Sequence, residues 1–354
     1  MKRLKMRCNL IFVSEMRKND FVLGVKIILL LCLFVQTVSA QLFFGNRMQF
    51  TQLSIDYKTL PTRSIKQPDS NYKYTSHEFG MNAFVPVYSK QFEHAEQKNN
   101  LGIFVTPTLR FSNFNLSYLP SRIFINAGFG LGTYYHFKQK NTLTTLLQAQ
   151  VNEDEFTINN ALLRYGGILV YTRKSSERFS YYLGATYTYV FGDGYLLPII
   201  GARFKMGKTS QLMIALPYHI NFTHRFNSTL RLSVSLKPNG GINRYQNRYA
   251  FNTNDEVLMM RRRSLVLGTS LYYQLKNNLL LGGELAAVFA HKVIFTTQDN
   301  SQIFVTNTIA NGLQLNLRLI WRPWQNTIRN KEKMAKQKAF EYPDDLNDTD
   351  ILGF

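Results

Sequence analysis

From about residue 48 to residue 322 the chain alternates apolar and polar side chains with a period of two, and it lacks the three-to-four spacing of an amphipathic helix. In Leu313-Gln314-Leu315-Asn316-Leu317-Arg318-Leu319, four leucines face one way and Gln, Asn and Arg the other. Leu230–Leu236 repeats this pattern, and Ile125–Gly132 sets Ile, Ala, Phe and Leu against Asn and three glycines. Successive side chains of a strand point to opposite faces, so each segment has one apolar and one small or polar face. Such segments are predicted at 48–58, 73–88, 101–112, 122–137, 142–151, 161–172, 179–191, 196–206, 210–216, 218–225, 229–237, 257–274, 279–297 and 302–322.

This count is fourteen, the even number that a single-chain bacterial barrel needs. It requires Leu216-Pro217 to make a tight turn between two short strands. Reading 210–225 as one strand would give thirteen, and twelve strands remain the alternative. Pro86 and Pro107 fall inside predicted strands and mark expected bulges, because a missing N–H removes a ladder bond.

Periodicity alone does not separate a sandwich from a transmembrane barrel, since both expose one apolar and one polar face per strand. Loop lengths and the start of the chain separate them. Short turns within 136–143, 172–179, 205–212, 225–230 and 275–279 alternate with longer connections near 61–72, 113–122, 151–160, 191–196 and 238–256. That asymmetry is the habit of outer-membrane barrels.

The apolar run Ile27–Ala40 follows Arg17, Lys18 and Lys26 and ends in Val38-Ser39-Ala40. This reads as a secretory signal peptide cleaved between Ala40 and Gln41, with Met16 as an alternative start. The run is shorter than the ~20 apolar residues a spanning helix needs. The expected organisation is a signal peptide at 1–40, an outer-membrane β-barrel at 41–324 and a charged periplasmic tail at 325–354, with both termini periplasmic.

Export changes the meaning of the composition. Both cysteines, Cys8 and Cys32, lie in the leader, so the mature chain has no disulfide available. Removing residues 1–40 takes away seven basic and two acidic residues and leaves 35 and 20, a formal charge of +15. Outside the cytoplasm this charge excludes nucleic acid as the natural partner and points to lipid phosphates or anionic solutes. The expected partners are outer-membrane lipid including lipopolysaccharide, the outer-membrane insertion machinery and small solutes. The oligomeric state is left open.

Aromatic residues make up 14% of the chain, and Trp321, Trp324, Tyr272 and Tyr273 are placed at one lipid boundary, where barrels carry aromatic girdles.

At this point the chain resembles a family of outer-membrane β-barrel proteins of the Bacteroidota that carry a domain of unknown function. The likeness rests on Gln41-Leu-Phe-Phe-Gly45, Gln52-Leu-Ser-Ile-Asp-Tyr57, Leu196-Leu-Pro-Ile-Ile-Gly201, Ala215-Leu-Pro217 and Arg225-Phe-Asn227. It implies an all-β, up-and-down transmembrane antiparallel barrel and brings no activity, cofactor or catalytic residue to transfer.

Candidate chemistry is sparse. The six histidines form no HExxH or Cys/His pattern, and there is no Gly-x-Ser-x-Gly elbow. His219 and His224 are five apart on a strand and so face opposite ways, as do His77 and Glu78. No catalytic residue, metal ligand or cofactor is expected.

Parity puts Arg110, Arg203, Lys205, Arg231, Lys237 and Arg318 in the lumen with Glu284 as the main acid, an arrangement that favours anions. Arg261 and Arg263 are expected just beyond the lipid band as ligands for lipid phosphate. The leading function is a narrow channel or uptake pore for small solutes, anionic or amphipathic. The alternatives are a structural or interaction barrel with a filled lumen and, more remotely, a lipid-modifying enzyme.

Overall fold

The computed structural model describes residues 51–66, 71–94, 97–137, 140–154, 161–246, 257–276, 278–298 and 302–322. The leader, the cleavage site at Ala40 and Gln41, Trp324 and the tail lie outside them.

The described residues form no helix and fifteen strand segments. They are β1 (Gln52–Ser64), β2 (Lys73–His94), β3 (Gln97–Leu116), β4 (Arg122–Phe137), β5 (Asn141–Glu153), β6 (Arg164–Lys174), β7 (Phe179–Thr188), β8 (Tyr195–Met206), β9 (Ser210–Leu216), β10 (His219–Arg225), β11 (Leu230–Gln246), β12 (Val257–Lys276), β13 (Leu279–Thr296), β14 (Ile303–Thr308) and β15 (Gly312–Trp321). Each strand pairs antiparallel with the next from β1 to β13, and β15 returns to β1, closing the ring.

β14 and β15 both pair with β13 in one continuous register, Lys292 opposite Thr308 and Val288 opposite Gly312. They are two pieces of a single stave, so the barrel has 14 strands. The interruption coincides with a bulge on β13. Ser264 of β12 lies between the pairs Arg263–Lys292 and Leu265–Phe289, and Ala290 adopts a positive φ of 49°. The extra residue reverses the faces of β13: Glu284, Ala286 and Val288 are buried before it, and His291, Val293 and Phe295 after it.

Leu216-Pro217, a cis peptide bond, does form the tight connection between β9 and β10. Pro86 sits at a register shift between β2 and β3. Pro107 pairs regularly with Phe129 of β4, while on its β2 side the ladder passes from Asn82–Thr108 to Val85–Val105.

Turns at the end bearing the first and last strand residues are short: 175–178, 207–209 and 226–229. The opposite, far end differs from expectation, because the ladder there extends into the predicted loops, furthest in three of them. β1 continues to Ser64, β3 to Leu116 and β11 to Gln246. Pro238-Asn239-Gly240-Gly241 looks like a turn, yet all four pair with β12. A Cβ at Gly240 would collide with the carbonyl oxygens of Arg262 and Val190, so glycine here lets three backbones meet.

At the same end the tip of β11 bypasses five strands and pairs in parallel with β5, Arg244 opposite Glu153. Arg244 and Glu153 are 3.7 Å apart, Arg122 and Asp154 3.4 Å, and Asn152 donates to Ile242 O and to Asn243 Oδ1. The far rim is thus drawn together by a buried polar clasp.

The outer wall carries Leu313 (51% exposed), Leu315 (49%), Leu317 (60%) and Trp321 (42%) along β15, with Leu265, Leu267, Leu271 and Tyr273 along β12. From Leu313 to Trp321 the apolar row runs about 27 Å along the strand at ~3.4 Å per residue. At a tilt of about 40° this gives about 21 Å of height, close to the ~25 Å apolar band of a transmembrane barrel.

Candidate functional site: the charged inner face

Inward positions are set by parity, and on β1 they are Ser54, Asp56, Lys58 and Leu60. Asp56 is 2% exposed, beside the outward Tyr57 at 38%. It stands opposite Gly80 on β2 and Arg318 on β15 and accepts from Asn82 Nδ2 at 3.3 Å.

One turn of the pleat further, Glu78 on β2 is engaged from two sides. Arg262 Nη1 lies 3.4 Å from its Oε1 and Arg110 Nη1 3.9 Å from its Oε2. Arg262 reaches from β12 across the interior, with its guanidinium 3.6 Å above the Phe114 ring. On β13, next to the strand that carries Arg262, Glu284 is held by Lys237 Nζ at 3.6 Å and accepts from Asn316 Nδ2 at 2.9 Å. Lys58, Arg110, Arg203, Lys205, Arg231, Lys237, Arg262 and Arg318 therefore share the inner face with Asp56, Glu78 and Glu284.

The wall is shaped to hold these groups. Glycines on β4 lie under bulky neighbours: a Cβ at Gly132 would enter the Phe104 ring, and one at Gly130 the Thr106 hydroxyl. At Gly268 it would meet the Glu284 carboxylate.

Two apolar clusters flank the charged groups. Tyr74, Phe114, Phe124, Leu258, Met260 and Phe295, all at most 4% exposed, fill the interior towards the far end. Phe104, Tyr134, Leu146, Ile168, Tyr182 and Met213 pack on the arc from β3 to β9. Tyr118, in the β3–β4 connection, closes over the first cluster and accepts a 2.7 Å hydrogen bond from Asn307 Nδ2. Burial pushes its phenol up to about 12.

The residues singled out from sequence fall as follows. Arg110, Arg203, Lys205, Arg231, Lys237, Glu284 and Arg318 are on inward-facing positions; Arg203 lies over the Tyr182 ring and Arg231 over Tyr272. Tyr272 is therefore not a boundary aromatic. It turns inward, while Tyr273 stays outside at 50% exposure, because neighbours on a strand cannot share a face.

Arg261 does not stand at an open rim either. It is 8% exposed, paired with Asp193, and donates to Gly192 O at 3.2 Å and Thr296 Oγ1 at 3.0 Å, under the β7–β8 connection. Arg263 is exposed. His77 lies outside against Tyr57 and Thr59 while Glu78 lies inside. His219 is buried on the inner side, and His224 contacts Ser210 on the outer side.

Sequence reasoning passed over Asp56, Lys58 and Glu78, whose parity with Ser54 and Ser76 was readable. It also passed over Arg262, whose reach to Glu78 across the narrowed end carries no local signal. Among the described residues no three His, Cys, Asp or Glu side chains gather as a metal site.

The chain belongs to the family described as a domain of unknown function, DUF6268, whose model matches residues 36–322. No curated protein matches it. Among solved structures, the COG4313 outer membrane channel from Pseudomonas putida F1 aligns with a TM-score of 0.44 at 10% identity, covering 78% of this chain and 96% of that one. The Pseudomonas putida toluene transporter TodX aligns at 0.30 and 11% identity (78% and 89% covered). The translocator domain of the autotransporter NalP from Neisseria meningitidis aligns at 0.34 and 8% identity (84% and 97%). These are distant likenesses.

Proposed function

We propose that the protein is a narrow outer-membrane channel for small solutes, with both termini in the periplasm of a Bacteroidota-type cell. The observation that supports it best is the inversion of faces around one closed ring: leucines outside, charged side chains inside. In water this arrangement exposes its greasiest surface, whereas in a bilayer both faces are satisfied.

Cations exceed acids along the inner face, so passing ions would be mainly anions. The link from Arg262 through Glu78 to Arg110 spans the interior and is the natural constriction. The test is conductance of the purified, refolded protein in a planar bilayer under a salt gradient. The reading predicts stepwise current with a reversal potential on the anion side; cation-selective current would remove the assigned role of the inward arginines.

One observation favours a second reading, a filled barrel that acts through its rims. The apolar cluster of Phe124, Leu258, Met260 and Phe295 occupies the far end of the interior. A folded barrel with no current at any applied voltage would support this alternative over the channel.

A further inference from the structure

We infer that the outer wall at the far end carries a binding site for the phosphorylated headgroup of a membrane lipid, built from Arg263, Lys292 and Lys66 around Thr308. The proposal rests on the membrane-spanning part of the reading above and is independent of whether the lumen conducts.

Arg263 of β12 is directly opposite Lys292 of β13, which is directly opposite Thr308 of β14. Lys66, just beyond β1, donates its backbone N–H to Thr308 O at 2.7 Å, beside the Ile65–Ile309 bridge. Directly opposed residues of neighbouring strands share a face. That face is the outer one: Arg262, Val293, Asn307 and Ile65 point inward from the adjacent positions. Three cations and a hydroxyl therefore form one transverse row over four staves. At ~4.8 Å between strands the row is about 14 Å wide.

Like charges directly opposite each other destabilise a sheet. Here Arg263 and Lys292 are so placed, and neither they nor Lys66 has an ion pair among the described residues. Arg261, two positions along, is by contrast neutralised by Asp193. The row stands at the edge of the lipid-facing surface, since the next outward residues on β12 are Leu265 and Leu267.

A phosphate on a lipid whose chains lie against those leucines would meet a bidentate guanidinium and two ammonium groups at once. The pair expected from sequence, Arg261 with Arg263, is replaced by Arg263 with Lys292, because the β13 bulge brings Lys292 to the outer face.

The experiment compares the detergent-solubilised wild-type protein with the triple variant Arg263→Gln/Lys292→Gln/Lys66→Gln for binding of purified lipopolysaccharide, the same lipid after enzymatic dephosphorylation, and phosphatidylcholine. A charge-matched control, Arg173→Gln/Lys174→Gln/Lys208→Gln, alters exposed cations at the other end. At about 1 kcal/mol per cation, or about fivefold each, the triple variant should bind lipopolysaccharide about a hundredfold more weakly. The control should bind like the wild type, and dephosphorylated lipid should bind like the triple variant.

An unchanged heat-modifiable gel shift verifies that the variants fold. If the triple variant does not fold, Arg263→Gln alone, with an expected fivefold loss, decides the matter. Equal binding by the variant, equal loss in the control, or indifference to dephosphorylation would each overturn the site.

Discussion

Replacing Glu78 by Gln keeps the side chain's shape and removes the carboxylate that joins Arg110 of the neighbouring strand to Arg262 of β12. The Glu78 side chain is 10% exposed, that of Arg262 13% and that of Arg110 27%. At an effective dielectric constant of 20, charges 3.4 and 3.9 Å apart attract by about 5 and about 4 kcal/mol before desolvation is counted. Breaking one partner of a buried pair costs about 3–5 kcal/mol, and the more exposed Arg110 pair contributes towards the low end of that range.

A net loss of about 3 kcal/mol from the state in which the link is made should raise the ratio of broken to made links about a hundredfold, and a broken link leaves the proposed constriction open. Single-channel recording would register this as a higher open probability. The double variant Glu78→Gln/Arg262→Gln should recover part of the loss, because the more deeply buried of the two arginines is gone and only Arg110 is left facing an amide. Unchanged gating together with an unchanged unfolding midpoint in Glu78→Gln would refute the constriction.

Four further outcomes follow from particular contacts. Leu317→Arg places a charge midway along the lipid-facing row of β15 and should cost about 2–4 kcal/mol in a bilayer; an effect within about 0.5 kcal/mol, measured by urea titration in lipid vesicles, is what a water-facing position would give. Tyr118→Phe removes the hydrogen bond that the Asn307 amide donates to the phenol and should destabilise the far end by about 1 kcal/mol in the same titration. Since the Tyr118 phenol is raised to about 12 from an ordinary 10.0, its contribution to stability should be complete below pH 10 and fade as pH rises to 12; the phenylalanine variant should lack that component of the alkaline loss. Gly240→Val forces apart the backbones at Arg262 and Val190, and hydrogen exchange should show faster opening of β11 beyond Pro238 with little change near Leu230.

Much of the barrel was legible because lipid on one side and lumen on the other impose strict parity. The Leu/Gln/Leu/Asn run of β15 announces its faces without help from any partner. The same rule assigns Arg110, Lys237 and Arg318 to the inside. It also separates Tyr272 from Tyr273, which the expectation of an aromatic girdle had grouped together.

Elsewhere the decisive partners were distant in sequence. The turn-like Pro238-Asn-Gly-Gly continues as strand because β12 supplies its ladder, and the tip of β11 is then held by Asn152 and Glu153 of β5. The β13 bulge at Ala290 reverses the faces of the rest of that strand, yet Phe289-Ala290-His291 contains neither glycine nor proline to mark it. Arg261, Arg262 and Arg263 read as one basic cluster, but the strand divides them: one goes under a loop, one into the lumen and one to the outer surface.

The claim that this barrel crosses a membrane and conducts is tested most directly by recording from the refolded wild-type protein in a planar bilayer under a salt gradient, after its heat-modifiable shift has been verified. Stepwise, anion-selective conductance is the predicted result. A folded protein that inserts into the bilayer and stays silent across the full voltage range would contradict it.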